Sequence, residues 1–250
     1  MKLNGNRILV TGAGTGMGLA AAKQLTALGN EVLMVARNEE RLCREAARLE
    51  NAGVFACDLS DPAQITALVE HVRENVPDLN WVFLNAGVTH TYKMFGTEDT
   101  IAFAAQEMET NYLSAVRILT LLEPVLAQQI DPAFILTTSG TALVPDISNP
   151  TYSATKAALH SLAQSARLTL QRKGSPIKVF EILAPLVDSP FAKDVPSEHK
   201  LPPADVIRDV LADIGKDVAQ IHPGPTSELY RVFLQSPEEA LDLINGMTNA

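Results

Sequence analysis

Cysteine is scarce in this 250-residue chain: Cys43 and Cys57 are the two present, and they form no CxxC or zinc-ligand spacing. A disulfide framework is thereby excluded, and a reducing compartment suits the composition. Positive charge is also in short supply. Twenty Lys and Arg against 29 Asp and Glu leave a formal net charge of −9. That argues against nucleic acid as the main partner, because a phosphate backbone needs a basic face. A small anionic cofactor, held by one local arginine and backbone amides, is not excluded. No apolar run reaches the roughly eighteen residues of a membrane span, so none is expected. Met1–Gly5 leads straight into a strand-like segment with no signal-peptide apolar region, and a cytoplasmic location is expected. The five histidines are scattered without ligand spacing. No metal site is expected, and the carboxylates form no glycosidase or phosphatase pattern.

Hydrophobic residues at 46% and charged residues at 20% give a globular composition with no disordered character. The length suffices for one large α/β domain with a well-buried core. Short apolar runs at residues 7–11, 32–35, 54–57, 81–84, 134–137 and 177–183 read as strands. Helical patterns separate them, at about 17–28, 39–49, from Pro62, 101–128 (bent or broken on the way) and up to Arg172. Asn38 can cap the second of these. Continuous apolar strands alternating with helices predict a three-layer α/β fold, a doubly wound parallel β-sheet with helices on both faces. Prolines and polar residues accumulate from Ala184 to Pro203, predicting a long loop, with a substrate lid over about 186–215. Short helices are expected near 204–214, 227–234 and 238–247, with a last strand near 218–222. No repeat, low-complexity tract or linker interrupts residues 1–250, so one domain is expected.

Thr11-Gly12-Ala13-Gly14-Thr15-Gly16-Met17-Gly18 follows the first strand and opens a helix. Glycines there let a pyrophosphate approach the backbone, and the helix N-terminus offers free N–H groups. The spacing is Thr-Gly-x-x-x-Gly-x-Gly, because Met17 occupies the last position of the commoner Gly-x-Gly-x-x-Gly. Further on, Tyr152 and Lys156 stand four residues apart and rise from one helical face. A tyrosine titrates near pH 10 when unperturbed. A nearby ammonium favours the phenolate and makes the pair a general acid/base, although the same spacing also occurs as a solvated surface pair.

Taken together, Thr11-Gly12-x-x-x-Gly16-x-Gly18, Asn85-Ala86-Gly87, Ser139 and Tyr152-x-x-x-Lys156 resemble the short-chain dehydrogenase/reductases, in their compact single-domain branch. The motifs fall in family order and span the chain. The resemblance implies a Rossmann-like nucleotide-binding fold and an oxidoreductase moving hydride between NADP(H) and a carbonyl or hydroxyl carbon. By it, Tyr152 exchanges the proton, and Lys156 lowers the Tyr152 pKa and holds the nicotinamide ribose. Ser139 holds the substrate oxygen, with Thr138 and Thr141 as substitutes. Asn111 would kink its helix and hold a water that relays protons to Lys156; otherwise it is a mid-helix polar residue. Gly12, Gly14, Thr15, Gly16, Met17 and Gly18 would cradle the pyrophosphate. Asn85, Ala86 and Gly87 would line the adenine ribose side. Asp58 and Leu59 would meet the adenine ring, unless Asp58 only caps the helix that follows.

Ala184-Pro185-Leu186-Val187-Asp188-Ser189 stands where the family carries Pro-Gly-x-Val-x-Thr, so Val187 and Ser189 would meet the nicotinamide carboxamide despite three departures. Where NAD-binding members place an acid, this chain has Ala36 followed by Arg37. A guanidinium suits a 2′-phosphate. NADP(H) is therefore expected, with NAD(H) as the alternative and a solvated Arg37 as the other reading. The alternative function is a cofactor-binding sensor or scaffold without turnover. The resemblance also implies a homodimer or homotetramer through the long helices, with Leu119, Leu122, Leu159 and Leu162 as interface or internal core. The substrate, a small carbonyl compound or alcohol, would be walled by residues 88–96, 140–149 and 190–203. Tyr92, Phe95 and Phe191 there hint at an apolar or ring-bearing molecule.

Overall fold

A computed structural model describes residues 1–96, 98–195 and 197–246. The six apolar runs and the expected last strand become, among the described residues, seven parallel strands: β1 (Arg7–Thr11), β2 (Glu31–Ala36), β3 (Ala52–Ala56), β4 (Trp81–Leu84), β5 (Ala133–Thr137), β6 (Lys178–Ile182) and β7 (Gln220–Ile221). Their order is β3-β2-β1-β4-β5-β6-β7. Chain direction across the sheet reverses between β1 and β4, and a crevice opens beyond the C-terminal strand ends at that point. Alternate β1 side chains feed opposite faces. Ile8 and Val10 pack with α1 (Gly16–Ala27), α2 (Glu39–Ala46) and α7 (Pro203–Gly215). Leu9 packs with α3 (Pro62–Asn75), α5 (Ser114–Leu126) and α6 (Pro150–Arg172). This is the doubly wound three-layer arrangement.

Local chemistry explains several boundaries. The Asn38 side chain accepts from the Arg41 amide at 2.8 Å and starts α2. That helix stops at Ala46, three residues short of the expected end. Asp61 accepts from Ala63 at 2.9 Å and caps α3. The expected long helix is divided: α4 (Thr100–Met108) passes through a π-turn at Glu109–Leu113 into α5. Residues 203–215 of the expected lid are helix α7, whose Val206, Ile207, Val210, Leu211 and Ile214 are buried, so they belong to the core instead. Residues 186–202 are irregular apart from a 3₁₀ turn at Pro190–Ala192, and Pro196 among them lies outside the described residues. Helices α8 (Thr226–Gln235) and α9 (Pro237–Asn245) follow β7; the Met247 end expected for the latter also lies outside the described residues. Leu119, Leu122 and Leu159 are internal core, with Leu162 packed at its edge.

Candidate active site

Glycine at position 18 is required by close approach. A Cβ there would lie 2.3 Å from the Gly12 carbonyl oxygen and 2.7 Å from the Asn85 side-chain Nδ2. Gly18 therefore seats α1 under the loop and does not line the cleft, contrary to its expected place among the pyrophosphate contacts. Gly12, Gly14, Thr15, Gly16 and Met17 do line it, in a cleft of about 800 Å³. Gly16 adopts φ +53°, and a Cβ there would meet the Ser189 Cβ at 3.1 Å, so the loop and the segment after β6 touch. Thr11 joins β1 to β4: its hydroxyl accepts from the amides of Asn85 at 2.9 Å and Ala86 at 3.0 Å. Ala86, Gly87, Asp58 and Leu59 reach the same cleft. Asp58 is not the helix cap, since its carboxylate accepts from the amide and hydroxyl of Ser60 at 2.9 and 2.8 Å. Val187 lines the cleft from a bridge to Leu201.

At the β2 end, Arg37 and Arg41 both line the cleft. Among the described residues neither guanidinium has a carboxylate within salt-bridge range, whereas Arg7, Arg48, Arg117, Arg208 and Arg231 are all paired. The Arg41 Cδ would sit 3.6 Å from a Cβ on Gly14, over the glycine loop. Sequence reasoning missed Arg41. Its signal was the four-residue spacing from Arg37 at a capped helix start, a pattern that also fits any solvated helix.

Beyond β4 and β5 the expected catalytic groups meet. Tyr152 is 8% exposed and Lys156 3%. The Lys156 ammonium donates to the Thr137 carbonyl at 2.7 Å and lies 5.6 Å from the Tyr152 ring centre. Burial pushes the Lys156 amine down to about 8. Burial pushes the Tyr152 phenol well above its ordinary range; the Ser139 hydroxyl opposes that shift and the Glu107 carboxylate adds to it. On balance desolvation outweighs the favourable contacts, so the Tyr152 phenol is raised in this structure. Ser139 accepts from the Thr141 amide at 3.2 Å and its hydroxyl at 3.1 Å. Thr138 is turned away, its hydroxyl donating to Glu181 at 2.8 Å.

Asn111 sits within the π-turn, 2% exposed, behind the cleft wall. Its side chain accepts from Val88 N at 2.8 Å and donates to Val88 O at 2.9 Å and to the Thr155 hydroxyl at 3.0 Å. It therefore ties the segment after β4 to α6, and a Cβ on Gly87 would lie 3.2 Å from its Oδ1 and 3.8 Å from the Lys156 Nζ. A second buried tie went unread in the sequence. Glu107, fully buried, accepts from the His90 amide at 2.8 Å and from the Thr151 hydroxyl, and its carboxylate also lies 3.0 Å from the His90 ring Nδ1. Thr151 in turn bonds the Tyr92 hydroxyl at 2.7 Å. A lone glutamate in a helical pattern carries no sign that it will be buried.

Among the described residues no helix is long and apolar enough to cross a membrane. The family model for short chain dehydrogenase matches residues 6–200. The oxidoreductase DltE of Bacillus subtilis (strain 168) is 36% identical over 189 residues, covering 76% of this chain and 74% of its own. A fatty acyl-CoA reductase of Acinetobacter baylyi is 30% identical over 193 residues, covering 76% and 65%. Among solved structures, a short chain dehydrogenase from Burkholderia cenocepacia in complex with NADP has a TM-score of 0.85 at 23% identity, covering 97% of this chain and 98% of its own. One from Burkholderia phymatum in complex with NAD reaches 0.87 at 20%, covering 100% and 99%. The chain belongs to the short-chain dehydrogenase/reductase family and is an oxidoreductase of that family.

Proposed function

We propose that this oxidoreductase moves hydride between NADP(H) and the carbonyl or hydroxyl carbon of a small organic substrate, with Tyr152 as general acid and base. The observation that carries the reading is convergence: the glycine loop, Ser139, Tyr152 and Lys156 line one continuous cleft at the switch point of the sheet. The cleft also fits a dinucleotide chemically. The glycine loop exposes backbone at a helix N-terminus, and Thr89 and Thr137 in the cleft wall each carry a buried hydroxyl with no partner among the described residues. Gly12, Gly14, Thr15, Gly16 and Met17 would hold the pyrophosphate, Asp58 and Leu59 the adenine, and Ala86 and Gly87 with Asn85 the ribose side. Val187 and Ser189 would hold the nicotinamide end. Arg37 and Arg41 would grip a 2′-phosphate, which favours NADP(H) over NAD(H).

When bound, the reduced nicotinamide supplies hydride to the substrate carbon. The chain's own residues manage the oxygen. Ser139 and Tyr152 hold it by hydrogen bonds where negative charge develops. Tyr152 then gives up its proton and the alcohol leaves; in the reverse direction the phenolate accepts that proton. Burial raises the Tyr152 phenol further, so the proton needed for carbonyl reduction is in place. Lys156, largely protonated below its pKa of about 8, stabilises the phenolate left behind. Asn111 acts by position, holding Val88 and the Tyr152 helix in register.

The same reading takes residues 1–250 as one working domain in the cytoplasm, with both cysteines as free thiols. A homodimer or homotetramer would form across the outer faces of α5 and α6, and a monomer mass by light scattering would refute it. The decisive experiment is Tyr152→Phe. NADPH oxidation against a panel of aldehydes and ketones should fall about a thousandfold, the range of a lost general acid, while NADPH binding stays within about twofold. Full activity in that variant would remove Tyr152 from its role.

A further inference from the structure

Beyond the catalytic pair the cleft continues along residues that the family match over 6–200 does not include. Helix α8 begins against the Ser139 turn: a Cβ on Gly140 would lie 3.0 Å from the Leu229 Cδ2 and 3.2 Å from the Thr226 methyl. The Thr226 hydroxyl donates to the Pro223 carbonyl at 2.7 Å, so the methyl is what it offers to Gly140. On the other flank the Phe191 ring lies 5.6 Å from the Tyr152 ring, tilted by 57°. Helix α9 closes the third side. Asn245 donates to the Pro145 carbonyl at 3.0 Å and accepts from the Ile147 amide at 2.9 Å, which fixes Leu243 and Ile244 along the cleft. Val144, Leu229 and Ala240 form a small core of their own beneath this wall.

Charge in the cleft is unevenly distributed. The described cations lining it are Arg37 and Arg41, at the β2 end, and Lys156, whose ammonium is engaged by Thr137. Of the described residues that line the cleft on the α8–α9 side, Asp146 and Glu228 are acids and none is lysine or arginine, with His199 on the facing loop as the other titratable group; Arg231 of α8 lies outside the lining. Both acids are already occupied: Asp146 accepts from the amide and hydroxyl of Ser148 at 2.8 and 2.7 Å, and Glu228 pairs with Arg231. An anion entering this end would exchange water for aliphatic carbon and two carboxylates, and the one guanidinium beside them, Arg231, is already taken by Glu228.

We propose that Phe191 and the α8–α9 hairpin form a substrate arm that selects an uncharged, apolar-bodied carbonyl compound or alcohol and rejects one bearing a carboxylate at its far end. The proposal rests on the oxidoreductase reading for where the carbonyl sits, between Ser139 and Tyr152. The apolar body then runs past Phe191 and Leu229 toward Leu243 and Ile244. Each methylene that enters the arm leaves water, which should raise kcat/KM about fourfold. A terminal carboxylate at the same reach should lower it by at least about tenfold, the order of an uncompensated charge in a half-desolvated site.

The test compares straight-chain aldehydes from butanal to octanal with their ω-carboxylated counterparts, by NADPH oxidation at fixed ionic strength, in the wild-type protein and in Leu243→Lys. Leu243 is 58% exposed, so the substitution leaves the fold in place. The wild type should prefer the uncharged series increasingly with length. Leu243→Lys should narrow that preference about threefold by adding a cation to the lining. Equal turnover of the two series, or a ratio unmoved by Leu243→Lys, overturns the assignment. Melting temperature with octanol and with octanoate separates this proposal from the one beneath it. If no aldehyde is reduced but octanol alone stabilises the protein, the arm stands and the redox reading falls. If octanoate stabilises equally, or neither does, the arm falls.

Discussion

Arg41 brings a charge into the cleft from a helix turn, with its stem laid over Gly14 and, among the described residues, no carboxylate in salt-bridge range. A guanidinium so placed gains from a 2′-phosphate and almost nothing from a free ribose hydroxyl. Arg41→Ala should therefore raise KM for NADPH about tenfold, the effect of one partly exposed charge-assisted contact, and leave KM for NADH nearly unchanged. Arg37→Ala should do the same, and equal losses with both cofactors would assign the two arginines to something other than the phosphate. Lys156 makes a different prediction, through pH. Its amine titrates near 8 in the folded protein, below the ordinary 10.5, so between those values the unfolded chain binds more protons. Stability from this group consequently rises with pH across that window. Urea unfolding at pH 8 and pH 10 should show the wild type gaining about 2 kcal/mol relative to Lys156→Met, which has no proton to release. A difference between the two proteins that did not change with pH would mean that Lys156 is solvated.

The elements around the site divide according to what fixes them. Trp81–Leu84 was legible because four consecutive apolar residues between turn formers have little choice but a buried strand. Asn38, Asp61 and Pro62 announced their helices through chemistry that acts within three residues. The break in the 101–128 pattern was legible as a bend, but its form, a π-turn that aims Asn111 at Val88, depends on a loop far away in sequence. Glu107 was hidden for the same reason. Its burial is set by His90 and Thr151, which only the fold brings together. Glu107→Ala would remove the carboxylate that accepts from the half-buried His90 amide and Thr151 hydroxyl. We expect a loss of about 3 kcal/mol, the usual cost of breaking a buried charged network, read as a lower urea midpoint at unchanged slope. Glu107→Gln keeps an acceptor and should lose clearly less. Equal losses would point to charge alone.

For the whole molecule, the strand order puts two independent constructions on either side of one crevice. The cofactor half is built by β1, α1, β2 and the start of α2, close in sequence and short-range in logic, and its motif could be read directly from Thr11 to Gly18. The substrate half is assembled from the segments after β5 and β6 together with α8 and α9, so its shape emerges only when residues near 145 and near 245 are joined. Asn245 is that joint. Asn245→Ala removes both hydrogen bonds to the 145–147 segment, each worth about 1 kcal/mol, while leaving β1, β2 and the glycine loop untouched. The Ile147 amide should exchange with solvent about tenfold faster, because its acceptor is gone while the rest of the fold holds. KM for an apolar aldehyde should rise several-fold as the α9 wall loosens, and KM for NADPH should not move. A parallel rise in both would show that the two halves of the cleft are one cooperative unit, and that α9 braces the sheet rather than the substrate.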